Sequence, residues 1–131
     1  SEELVMSKRM VSTSDYKEIT NVAVRYIEAL RVGSIDALAD IFHKDAVTYG
    51  TVNGQLVGGS GNPTIDFIKT NGKSPELDSH IEVMDVTPTT AVVRIIMEKD
   101  AIGSDCNENL VLIKLDKGWT VIAKIFHQFD K

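Results

Sequence analysis

Apolar residues recur at helical spacing early in this chain and at strand spacing through the rest, and that switch of period confines the fold to helices laid on a sheet. Ile19, Val22, Ala23, Tyr26, Ile27 and Leu30 fall at i, i+3, i+4, i+7, i+8 and i+11, one unbroken stripe of an amphipathic helix. Asp15 and Glu18 resemble a capping box at its start, and Gly33 suits the left-handed residue that ends it. Ser34 then caps a short second helix whose Leu38, Ile41 and Phe42 point inward.

Past His43–Asp45 the alternation is two-fold: Val47, Tyr49 and Thr51 interleave with Thr48 and Gly50. Asn53-Gly54 is a preferred two-residue hairpin turn, so residues 46–52 and 55–58 pair. Gly58 to Gly61 reads as a flexible loop, and Asn62-Pro63 as the cap and first turn of a third helix that stops at Asn71-Gly72. Strands follow at residues 79–87, 90–99, 106–115 and 119–129. The layout is α+β, with three N-terminal helices and a mostly antiparallel sheet. Residues 1–13 carry no period and read as a loose arm before a single domain at 14–131.

Composition narrows the function. A chain of 131 residues, 43% hydrophobic, supports one core. Its net charge of −5, with no basic run, argues against nucleic acid. No apolar stretch reaches the roughly 18 residues of a membrane span, and no secretory h-region is present. The leading Ser1 suggests a processed or scarred start. Cys106 is alone, which excludes an internal disulfide and a cysteine zinc cluster. These features together lead us to expect a cytoplasmic protein.

The final hairpin sets which side chains face the helices. A three-residue loop at Asp116-Lys117-Gly118 pairs Leu115 with Trp119, Ile113 with Val121, Val111 with Ala123, Asn109 with Ile125 and Asn107 with His127. A two-residue loop would mix the faces and is set aside. On this register the expected inner face is apolar until it reaches Asn107, Asn109 and His127 at one end. In the preceding strand Ala91, Val93, Ile95 and Met97 take the inner side. The outer face mixes Leu110, Leu112, Ile122 and Phe126 with Lys114, Lys124 and Glu108, too apolar for plain solvent, so a homodimer through it is expected.

Two stretches carry a family resemblance. Arg25-Tyr26-Ile27-Glu28-Ala29-Leu30 with Gly33 and Ile35-Asp36-Ala37-Leu38, then Phe42, Asp45 and Ala46, resembles the opening of the NTF2-like (SnoaL-like) cone fold. Leu56-Val57-Gly58-Gly59 and Lys117-Gly118-Trp119-Thr120-Val121, with Lys124-Ile125-Phe126-His127, is similar to its "Putative lumazine-binding" branch. The resemblance covers residues 15–129. It implies a strongly curved sheet around three helices, a pocket between them, and dimers through the convex face.

Steroid-isomerase members of that superfamily use a Tyr on the first helix and two Asp residues on strands. Tyr26 matches the first, but the carboxylate positions fall at Gly50 and near Val111. That proton-shuttling mechanism needs a carboxylate base and is rejected for this chain. His127 is then the sharpest candidate for acid/base chemistry near neutral pH, with Asn107 beside it. Tyr26, Phe42, Tyr49, Met97, Asn107, Asn109, Trp119 and His127 are the expected ligand-binding set.

Other residues read as structural. His43 reads as a helix-end cap and His80 as exposed, and the three histidines lack ligand spacing, so no metal is expected. The Gly58–Gly61 run lacks a following Lys-Ser/Thr and reads as a mobile lip. Cys106 lacks a neighbouring base. Arg94, Lys124 and Glu108 read as cross-strand or interface pairs. With no cofactor implied, the chain is expected to bind a small, largely apolar or cyclic molecule. The alternatives are a SnoaL-like isomerase, cyclase or dehydratase using His127, and an interaction module using its dimer face.

Overall fold

A computed structural model describes residues 11–131. The expected loose arm falls almost wholly outside that range. Helix α1 spans Thr13–Val32, α2 Ile35–Ile41 and α3 Pro63–Asn71. Strands β1 (Phe42–Val52), β2 (Gln55–Ser60), β3 (Asp78–Val86), β4 (Thr90–Glu98), β5 (Cys106–Leu115) and β6 (Gly118–Gln128) form one sheet in the order β2-β1-β6-β5-β4-β3. Only the β1–β6 pairing is parallel. The α+β expectation therefore holds. No helix among the described residues is long and apolar enough to cross a membrane.

The expected stripe of α1 is buried along its whole length against the sheet. Its cap differs from expectation: Ser12 takes the N-cap, and its hydroxyl accepts from the Asp15 N–H at 3.0 Å. The Asp15 carboxylate reaches across to the β5–β6 hairpin, where Trp119 Nε1 of β6 donates to it at 3.1 Å and Lys114 Nζ of β5 at 2.9 Å. Gly33 closes the helix at φ 71°, and the Ser34 hydroxyl caps α2. Asn62 precedes α3 without capping it, because its side chain makes no cap hydrogen bond. Gly58 and Gly59 belong to β2, which runs on to Ser60 where a loop was expected. A Cβ on Gly58 would lie 2.0 Å from the Thr48 carbonyl oxygen, so this strand approaches β1 more closely than any side chain allows.

The β5–β6 hairpin decides the architecture of the interior. Its outer half pairs as expected, Asn107 with His127, Asn109 with Ile125 and Val111 with Ala123. Near the turn the pairing slips by one: Leu115 meets Gly118, Lys114 meets Trp119 and Leu112 meets Val121. An extra residue, Ile122, is bulged out between the two halves and absorbs the slip. Because successive strand residues face opposite sides, the bulge moves the second half of β6 onto the other face. Trp119 and Val121 stay inward as expected, but beyond the bulge it is Lys124 and Phe126 that turn toward the helices. In β5 the inward set is Cys106, Glu108, Leu110 and Leu112, the reverse of the expected one. In β4 the expected inner set of Ala91, Val93, Ile95 and Met97 is buried.

Candidate functional site

Reversing β5 and half of β6 carries a carboxylate and an ammonium into the interior. Glu108 and Lys124 are 5% and 6% exposed, and both face Tyr26, which is fully buried on α1. Across the ladder Lys124 pairs with Leu110 and Glu108 with Phe126, so the two charges sit diagonally on one face. The Tyr26 hydroxyl donates to Glu108 Oε1 at 2.5 Å. Lys124 Nζ donates to Tyr26 Oη at 2.9 Å and to Thr64 Oγ1 of α3 at 2.9 Å, and lies 3.3 Å from Glu108 Oε2. Four elements, α1, α3, β5 and β6, thus converge on one buried polar cluster.

Burial and the Glu108 carboxylate hold the Tyr26 phenol well above its ordinary range, so it remains a proton donor at neutral pH. The Cys106 thiol, 3.8 Å from Glu108 Oε2, is likewise pushed up by burial and by that carboxylate. A thiol held in this way is a weak donor and a poor nucleophile, in keeping with its reading from sequence. Isolated buried charges are costly, and this pair is tolerated because each partner is also hydrogen-bonded.

The cluster forms one wall of a cavity of about 240 Å³. Leu30, Val52, Val57, Phe67 and Met97 give that cavity an apolar lining, and Asp100 and Gln128 add polar groups. Its size falls just below the range of drug-sized ligand pockets, which run from roughly 300 Å³ upward, and so suits a small molecule. Thr48 lines it from β1, directly beside Lys124 in the parallel pairing, and the Thr48 hydroxyl finds no partner among the described residues. A buried hydroxyl left in that state costs about 1–3 kcal/mol. Gly50 is needed here for space: a Cβ would stand 2.5 Å from the Phe126 ring and 2.4 Å from the Phe126 carbonyl oxygen. The position at which the superfamily's isomerases carry a carboxylate is thus roofed by an aromatic ring.

The residues expected from sequence divide between three places. Tyr26 and Met97 line the cavity. Phe42 is buried behind Tyr26, with ring centroids 5.8 Å apart, and Trp119 is held under the start of α1 by Asp15, so both are packing residues. Tyr49, Asn107, Asn109 and His127 lie on the outer face of the sheet, away from the cavity. There His127 Nδ1 is 3.0 Å from Thr51 Oγ1, and its ring meets the edge of Phe129. This placement corrects the expectation that His127 and Asn107 face the helices; the bulge at Ile122 turns His127 outward, and the one-residue slip at the turn does the same for Asn107.

His43 follows the end of α2 but does not cap it; its Nδ1 accepts from the Asp45 N–H at 3.0 Å. His80 is exposed beside Glu82, as expected. Glu108, Lys124, Thr64 and Thr48 are the residues that sequence reasoning missed. One signal was available: Glu108 and Lys124 are opposite charges embedded in apolar strand segments, on the face that also carries Leu110, Leu112 and Phe126.

The comparisons agree with this architecture. A family model described as "Putative lumazine-binding" matches residues 14–127, and the chain belongs to that family. An NTF2-like protein of unknown function from Methylobacillus flagellatus KT superposes with a TM-score of 0.86 at 29% identity, covering 94% of this chain and 98% of that one. A cystatin-like fold protein from Burkholderia xenovorans LB400 superposes with a TM-score of 0.71 at 17% identity, over 92% of this chain and 95% of that one, a likeness of fold alone. Among curated proteins, "Aldolase FrzH" from Cladobotryum sp is 31% identical over 121 residues, covering 92% of this chain and 97% of that protein.

Proposed function

We propose that this chain is an enzyme that takes a small, largely apolar carbonyl compound into the cavity and performs acid–base chemistry of the aldol type on it. The observation that carries this reading is the buried Tyr26–Glu108–Lys124 cluster on a cavity wall. Making or breaking a carbon–carbon bond next to a carbonyl needs a base for the proton and a donor for the oxygen on which charge develops. Glu108 supplies the carboxylate and Tyr26 the phenol, so the acid/base role falls to them and not to His127. The unpartnered Thr48 hydroxyl beside Lys124 favours a substrate with a second oxygen. The relative named an aldolase supports the same chemistry.

Proton exchange gives the test. Small ketones and aldehydes incubated with the protein in D2O should gain deuterium at the α-carbon, read by NMR, and Glu108→Gln should lose at least ~100-fold in that rate. An equal rate in wild type and Glu108→Gln would defeat the reading. The apolar lining favours a second reading, stoichiometric capture of a cyclic ligand without turnover. Native mass spectrometry that finds a co-purifying molecule alongside no exchange would favour that alternative.

For the outer face we propose a second copy of this chain as the occupant. Tyr49, Leu56 and Ile125 are exposed there, next to His127 and Asn109. An Ile125→Asp variant should shift the sedimentation mass from dimer to monomer at micromolar concentration, and a wild-type monomer would overturn the proposal.

A further inference from the structure

A buried lysine beside a carbonyl pocket invites the idea of an imine, but the surroundings of Lys124 leave that chemistry no room. An ammonium nitrogen carries three hydrogens besides its carbon. Lys124 Nζ has three acceptors around it: Tyr26 Oη and Thr64 Oγ1 at 2.9 Å each and Glu108 Oε2 at 3.3 Å. Amine attack on a carbonyl needs a deprotonated nitrogen with its lone pair aimed at the carbon. Here two of the three hydrogens already end on hydroxyl oxygens, and the Glu108 carboxylate stands 3.3 Å away as the counter-charge that keeps the nitrogen protonated. The same geometry also improves Tyr26, because a phenol oxygen that accepts from an ammonium is a stronger donor through its own hydrogen.

Resting on the carbonyl chemistry proposed above, we propose that Lys124 is a fixed ammonium and a positioning residue for Tyr26, and that the substrate is a β-hydroxy ketone or aldehyde processed through an enolate, never through an imine. In the cleaving direction the carbonyl oxygen accepts from the Tyr26 hydroxyl, which turns away from Glu108 by rotation about its C–O bond. Glu108 takes the proton of the β-hydroxyl. The O–H electron pair becomes the new carbonyl bond, the α–β carbon bond breaks, its pair becomes the carbon–carbon double bond of an enolate, and the π pair of the first carbonyl moves onto its oxygen, held by Tyr26. Glu108 returns the proton to the α-carbon. Atoms and charge balance with no oxidant, reductant or metal, and bond formation is the same path reversed.

The experiment uses cyclohexanone labelled with 18O at its carbonyl, in D2O, against a protein-free control. An imine exchanges that oxygen with solvent at every turnover, whereas an enolate keeps it. Protein-dependent deuteration without protein-dependent loss of 18O is the expected result. Lys124→Met should slow deuteration by about 10²–10³-fold. Lys124→Arg, which keeps the charge but cannot form an imine, should restore at least about a tenth of the rate. Loss of 18O in step with deuteration would overturn the proposal, as would a borohydride-trapped adduct on Lys124. A folded Lys124→Arg as inactive as Lys124→Met would overturn it too. Should Arg prevent folding, the 18O result on wild type still decides.

If wild type shows no deuteration, or Glu108→Gln does not slow it, the carbonyl reading itself falls. The ammonium assignment is then judged separately by formaldehyde and cyanoborohydride with peptide mass spectrometry. Protection of Lys124 by about tenfold or more relative to the exposed Lys44 upholds it, and comparable labelling rejects it.

Discussion

Lys124 and His127 stand three residues apart on β6 and live in opposite worlds. Lys124 faces the helices, 6% exposed, with partners on α1, α3 and β5. His127 faces outward, exposed, with its ring beside the Thr51 hydroxyl and against Phe129. Histidine is the side chain that titrates near neutrality, so composition alone points to it. The contrast teaches that burial and polar partners here follow the face and not the residue type. Charges interact more strongly in the desolvated surroundings of Lys124 and Glu108 on the cavity wall than around an imidazole on the solvent-facing side of the sheet.

The strongest way to break this contrast is to strip one partner from the inner cluster. Lys124→Met leaves the Glu108 carboxylate buried and unpaired and should cost about 3–5 kcal/mol in urea denaturation. Adding Glu108→Gln to that variant should return most of the stability, since no lone charge then remains. Were the double variant as unstable as the single, charge pairing would not be what holds the cluster.

A smaller effect separates neighbouring positions on β1. Gly50→Ala drives a Cβ against the Phe126 carbonyl and ring and should cost about 1–3 kcal/mol, whereas Thr51→Ala on the outer face should change stability by less than about 0.5 kcal/mol. Equal melting temperatures for the two would remove the claim that Phe126 needs a glycine beside it.

The anchor at the start of α1 is sensitive to pH at both ends of the scale. Hydrogen bonds from Lys114 and then Trp119 lower the Asp15 pKa, so its stabilising effect is present above the unfolded value near 3.9 and fades as pH falls through the lower folded one. The Lys114 pKa is raised, first of all by its bond to Asp15, so its share is intact below about 10.4 and is lost as pH rises through the folded value. Asp15→Asn should flatten both limbs of a melting-temperature profile while leaving α-proton exchange unchanged. The smallest effect belongs to His127→Ala, with stability within about 0.5 kcal/mol of wild type and no change in α-proton exchange. A loss of exchange in that variant would join the two faces and undo the contrast.

Much of the fold was legible because it rests on local rules. The stripe from Ile19 to Leu30, the Gly33 stop, the Ser34 cap and the Asn53-Gly54 turn each follow from spacing or from a backbone angle only certain residues adopt. The inner face of β4 was legible for the same reason, since Ala91, Val93, Ile95 and Met97 alternate without interruption. Tyr26 was found because it lies on that first stripe. Glu108 and Lys124 were not, although both were visible as charges within apolar strands.

The element order, the α+β layout and the helix-facing stripe of α1 were determined by the sequence alone. The facing of β5 and the last half of β6, and so the identity of the candidate site, was decided only in the tertiary structure. A two-residue turn at Asp116-Lys117 and a bulge at Ile122 each change the register by one residue. Their shifts cancel in the pairing of Asn107 with His127, and no local pattern marks either. Alternation tells which residues share a face, but not which face is covered. That depends on where Tyr26 and Thr64 stand, on helices far away in the chain, ready to satisfy a carboxylate and an ammonium that could not otherwise be buried.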